Sequence, residues 1–204
     1  MRERAVRYST MLATTLILAG CGAGEQPRAA DTPPAAVEEL VAGQPLSYWR
    51  EGLTHTDSEV RRVTALGLGG LGREALPLLP DVIACLADDA PEVVTTAREA
   101  LLAVGAPALP GILEALASHE NEAVRAQLAR TLREVRPTTP EIVAALGEAV
   151  AGDDSWQVRF RAAESLGEIG PDAAAAEAVL RAALEDEDGN VQTAARAALQ
   201  RLQN

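Results

Sequence analysis

The residues able to do chemistry are few and scattered. The chain has two cysteines and two histidines. Cys85 lies between Ile83 and Leu86 and reads as a buried, inert thiol. His119-Glu120 is a single His-Glu pair, too little to hold a metal by itself. The run Glu185 to Asn190, EDEDGN, offers oxygens to a cation. Its glycine is misplaced for a calcium loop and no closing acid follows, so a solvated turn is expected. No phosphate loop, nucleophile elbow or zinc spacing occurs. Arg61, Arg125 and Arg159 recur at one position of a repeating pattern. Such a row could take an anion, but aspartates in the adjoining loops favour a structural ladder of ion pairs. Trp156 and Phe160 stand four residues apart, hence stacked along one helix face. Exposed aromatics beside small residues have the makings of a binding hot spot.

The other cysteine sits in an address. Residues 1–8 are basic, Met11 to Ala19 is apolar, and small residues lead to Cys21. That is the layout of a secretory signal. The apolar run is too short to span a bilayer, which takes about 20 residues. Leu18-Ala19-Gly20-Cys21 resembles the lipobox of bacterial lipoproteins, which implies acylation of Cys21 after removal of residues 1–20. Two or more acyl chains anchor a protein stably. Gly22 follows where an aspartate would favour the inner membrane, so the resemblance leans towards the periplasmic face of an outer membrane. Residues 21–34 then read as a flexible linker, rich in Ala, Gly and Pro.

The hydrophobic pattern that positions these residues repeats. Val60, Val93, Val124, Val158 and Val191 are separated by 33, 31, 34 and 33 residues. A leucine stands eight residues after each: Leu68, Leu101, Leu132, Leu166 and Leu199. Offsets of 0, 4, 8 and 11 fall on one face of an α-helix. A second apolar stripe lies between these helices, as in Leu109, Ile112 and Leu116. Gly72, Gly105 and Gly170 stand where a left-handed helix cap is expected. Asp57, Asp89 and Asp154 stand as expected N-terminal capping acids. Ala and Leu dominate, aromatics make up 2%, and strand-forming runs are scarce, so the chain is all-α. Residues 35–204 are expected to form about five helical hairpins, with Ala35 to Val41 as a short extra helix over the first.

Asp154 to Gly170 (DSWQVRFRAAESLGEIG) and Val60 to Gly72 (VRRVTALGLGGLG) resemble the HEAT-like repeats of the phycobiliprotein-lyase type. The resemblance covers about residues 46–203 and implies a right-handed α-solenoid. Ankyrin and tetratricopeptide signatures of similar period are absent. HEAT-like deoxyhypusine hydroxylases bind metal through several His-Glu pairs, and this chain has one.

The net charge is −12, and removing residues 1–20, which hold three arginines and one glutamate, takes it to −14. That field disfavours nucleic acid. The expectation is therefore a lipid-anchored, monomeric scaffold without enzymatic activity or cofactor. It would bind a protein or peptide through its concave face, and the alternative is an enzyme or chromophore-handling protein of the lyase type. In this register, offsets −2, +2 and +9 should line the open face. They nominate Trp156, Phe160, Arg62, Leu102 and Gly167 as partner-binding residues.

Overall fold

The chain divides into two units, residues 1–37 and 38–204, and the computed structural model describes residues 39–203, all in the second. Cys21, the linker and the signal lie outside the described residues. The described part is an α-solenoid of five hairpins. They are α1 (Leu46–Leu53) with α2 (Ser58–Leu71), α3 (Leu79–Ala84) with α4 (Pro91–Val104), and α5 (Leu109–Ser118) with α6 (Glu122–Leu132). Then come α7 (Pro140–Gly152) with α8 (Trp156–Ile169), and α9 (Glu177–Ala182) with α10 (Gly189–Leu202). Odd-numbered helices pack on one another in one layer and even-numbered helices in the second. The core lies between the layers.

The repeating valines explain this arrangement. Val93, Ala97 and Leu101 are buried on α4, Val124, Leu128 and Leu132 on α6, and Val158, Ala162 and Leu166 on α8. Each fully buried leucine contributes about 2 kcal/mol through the apolar surface it removes from water. Val60 is the exception at 36% exposed, because α2 is the first even-numbered helix among the described residues and lacks the preceding even-numbered neighbour that covers Val93 and Val158.

Punctuation follows the sequence in part. Gly72, Gly105 and Gly170 all take positive φ, closing α2, α4 and α8 with a conformation that costs glycine least. Asp57 and Asp188 cap α2 and α10 through their side chains. Asp89 and Asp154 do not cap. Ala90 and Ser155 occupy those N-cap positions, and the preceding Asp88 and Asp153 accept the Ala90 and Ser155 N–H groups instead. The expected helix ending at Val41 is also corrected. Leu40–Val41 pairs antiparallel with Gln44–Pro45 around Ala42 and Gly43, both at positive φ. Two such residues favour a tight hairpin turn over helix. Residues 35–38 lie outside the described residues. Val41 is buried, and its carbonyl accepts the Trp49 indole N–H at 3.0 Å.

Candidate functional site

The arginine row is a ladder. Arg61 grips Asp88 with both ends of its fork at 2.7 Å. Arg125 grips Asp153 at 2.8 Å on both oxygens, and Arg159 grips Asp186 at 2.8 and 3.0 Å. The remaining nitrogen of each arginine donates to carbonyls of its own loop, as Arg159 does to Asp153 and Asp154. Each rung thus ties the turn of one hairpin to the turn of the next. The Arg159 guanidinium holds Asp186 below the usual carboxylate range, against the opposing effect of burial. These arginines are spent on structure and do not offer an anion site.

The second hairpin carries Val94 where the first, third and fourth carry arginine, and the turn it faces carries His119 where the ladder has aspartate. His119 Nδ1 accepts the Asn121 N–H at 3.1 Å, the bond that aspartate makes elsewhere. His55, in the turn of the first hairpin, does the same for Asp57. Both histidines therefore hold turns. Among the described residues no group of three or more His, Cys, Asp or Glu side chains is placed to hold a metal. Burial pushes the Cys85 thiol up to about 11, which keeps it protonated and unreactive.

Trp156 and Phe160 are brought together as their spacing predicts. Trp156 opens α8 and is 40% exposed, while Phe160, one turn on, is half-buried. The Arg161 guanidinium lies 5.2 Å from the Phe160 ring centroid and pairs with Glu164 at 2.9 Å. The aromatics form one wall of a groove of about 320 Å³ between α6 and α8. The facing wall is Glu122, Ala123, Ala126 and Gln127. Sequence reasoning missed this wall as a unit. Its signal was Ala126, at the same repeat position as Phe160 in the preceding hairpin, which leaves room beside the ring.

The other nominated residues do not join this groove. Arg62 lies on α2 and is occupied by Glu59 one turn away, at 2.6 Å. Leu102 lies half-buried on α4. Gly167 is corrected outright, because it is buried where α8 meets α10. A Cβ there would stand 2.8 Å from the Ala198 Cα. Gly69 meets Ala100 in the same way. Offset +9 is therefore a contact between neighbouring helices, not open surface. Leu102 on α4 and Arg133 at the end of α6 occupy the corresponding places, and those two helices meet less closely.

The family described as HEAT repeats matches residues 109–200, from the start of α5 to near the end of α10. No curated protein sequence matches the chain. Among solved structures, a chain in the complex of CpcE and CpcF of phycocyanin lyase from Nostoc sp. PCC7120 is 27% identical. That match covers 63% of this chain and 80% of the other, with a TM-score of 0.54. An engineered protein is 23% identical over 79% of this chain and 80% of its own, with a TM-score of 0.42. A designed armadillo repeat protein is 16% identical over 77% and 99%, with a TM-score of 0.31. The likeness to a chain of the lyase complex corrects the expectation of a chain without enzymatic activity.

Proposed function

This is a HEAT-like repeat protein, and from that premise we propose that it serves in a lyase-type assembly, handling a chromophore-like ligand together with a protein partner. The observation that carries this reading is the likeness to a chain of the phycocyanin lyase complex, which is itself an assembly of two proteins. The groove between α6 and α8 supports it. Trp156 presents an exposed ring on which a flat conjugated ligand stacks, Phe160 backs it, and Ala123 and Ala126 leave space opposite.

The test is titration with a linear tetrapyrrole. Trp49 and Trp156 are the two tryptophans, so a Trp49→Phe background reports on Trp156 alone. Bound tetrapyrrole is expected to quench that fluorescence and shift its own absorbance. Trp156→Ala should weaken binding at least about tenfold, the equivalent of one lost aromatic contact of about 1.4 kcal/mol. Absence of both spectral changes at saturating ligand removes the chromophore from the proposal. For the protein partner, a photocrosslinker at Gln157 should capture a defined protein in cells.

The membrane anchor belongs to the same proposal and rests on the lipobox resemblance alone. Cells fed a labelled fatty acid should label the protein, and Cys21→Ser should abolish the label and release the chain from the membrane fraction. A labelled Cys21→Ser variant would end the anchor hypothesis.

A further inference from the structure

The junctions between neighbouring hairpins are not alike. α2 lies close along α4, α6 along α8 and α8 along α10, whereas α4 and α6 touch at few points. Three features of the residues account for the difference. An arginine fork crosses from the first hairpin to the second, from the third to the fourth and from the fourth to the fifth. Between the second and third, Val94 and His119 stand in the places of both partners, so no such fork closes that junction. Leu102 occupies the place where Gly69 and Gly167 let Ala100 and Ala198 approach. A leucine side chain there keeps the next backbone away. Finally, α6 has 11 residues where α2, α4, α8 and α10 each have 14. Arg136 stands where Gly72, Gly105 and Gly170 close α2, α4 and α8, and Pro137 follows it. The residue before a proline is pushed out of helical geometry, so α6 stops short of it and offers α4 less length to pack on.

What does cross this junction lies mostly in the other layer. α3 meets α5, and the turn Cys85–Ala87 at the end of α3 meets α6. Arg98 on α4 pairs with Glu134 just beyond α6. Contacts gathered on one side of an array leave it free to open on the other, which is how a hinge is built. To either side the hairpins are tied. The Arg61–Asp88 fork and the close approach of Gly69 to Ala100 hold the first two together. Arg125 with Asp153, Arg133 with Glu168 and Arg159 with Asp186 hold the last three.

We propose that the junction between the second and third hairpins is a joint, about which hairpins one and two swing as one block against hairpins three to five. Couplings in a solenoid run chiefly between neighbours, so one weak junction concentrates the motion there. The groove beside Trp156 lies wholly within the second block, at a junction with an intact rung, and keeps its shape as the joint moves. A protein partner touching both blocks sets the angle between them. The joint stands independently of the ligand assigned to that groove.

The experiment is double electron–electron resonance on the full chain carrying Cys21→Ser, with spin labels on cysteines introduced in pairs. Glu59, Ala123 and Asn190 are exposed at one repeat position, just before the repeating valines of α2, α6 and α10. Glu59→Cys with Ala123→Cys spans two junctions, one of them the joint. Ala123→Cys with Asn190→Cys spans two junctions that both carry rungs. At ordinary interhelical spacing each pair lies roughly 20 Å apart. Cys85 is buried and stays unlabelled. The expected result is a broader distance distribution for the first pair than for the second. Val94→Arg with His119→Asp supplies the missing rung and should remove that excess width. Arg125→Val with Asp153→His takes a rung away and should broaden the second pair. Equal widths for the two pairs in the parent overturn the proposal, as does an excess width that the added rung leaves unchanged. Should a rung variant fail to fold, the comparison of the two pairs in the parent decides alone.

Discussion

Gly167→Ala is expected to destabilise the protein even though alanine is the better helix former. In an exposed helix the exchange gains about 1 kcal/mol. Here the new Cβ would sit 2.8 Å from the Ala198 Cα and 3.0 Å from its Cβ. The obstacle is backbone, so α8 and α10 must part along their line of contact. Overpacking of this kind costs about 1–3 kcal/mol, and the lost α8–α10 packing adds to it. The net expectation is a loss of about 2 kcal/mol, which for a domain of this size lowers Tm by about 4–8 °C. Gly147→Ala is the control. It is also within a helix, but its Cβ would meet the Val179 Cγ1 at 3.6 Å, an ordinary contact. That variant should be as stable as the parent or up to about 1 kcal/mol more stable. Thermal denaturation of the two variants decides the matter. A more stable Gly167→Ala protein would show that the close approach of α8 and α10 yields freely. Amide exchange should locate the loss in α8 and α10, because a solenoid couples each repeat chiefly to its neighbours.

Arg159→Ala should have a comparable or larger effect. The Arg159 side chain is 9% exposed and Asp186 10%. Arg159 also reaches Glu187 and two carbonyls of its own turn. Its removal leaves Asp186 desolvated without its fork, a loss of about 3 kcal/mol. Arg159→Lys should recover little, since one ammonium cannot span both carboxylate oxygens and the loop carbonyls. The rung also predicts a pH dependence. Asp186 is held below its ordinary value when folded. Its contribution is therefore fully present above the unfolded carboxylate pKa and is lost as pH falls through the folded one. Urea denaturation at neutral and acid pH should show the parent losing more stability on acidification than Arg159→Ala. Equal stability of the two proteins at both pH values would mean that the ladder contributes nothing.

The ladder was legible from the arginines alone, because their spacing and the aspartates of the next turn both repeat. What could not be read was which aspartate closes each rung. Asp89 and Asp154 are as well placed in the sequence as Asp88 and Asp153. Only the folded turn shows that the first of each pair takes both ends of the guanidinium fork while accepting the N–H two residues on, with Asp89 adding a single bond to Arg61. The histidines became intelligible the same way. His55 and His119 stand where no arginine fork closes on a turn aspartate, and the imidazole supplies the turn's acceptor in place of the carboxylate.

By itself the sequence determined the five helical hairpins and the apolar stripe of each helix. Helical periodicity is a local property: Val158, Ala162 and Leu166 share a face whatever surrounds them. It also determined that Trp156 and Phe160 stand together, for the same reason. The tertiary structure alone decided what lies opposite each face. Gly167 and Phe160 looked alike as outward positions, yet Gly167 is closed by Ala198 while Phe160 borders a groove. Val60 and Val158 looked alike as core positions, yet Val60 is exposed and Val158 is not. The difference comes from the distance and angle between neighbouring helices and from whether a neighbour exists. Those quantities depend on contacts between residues some thirty positions apart, which no local period encodes.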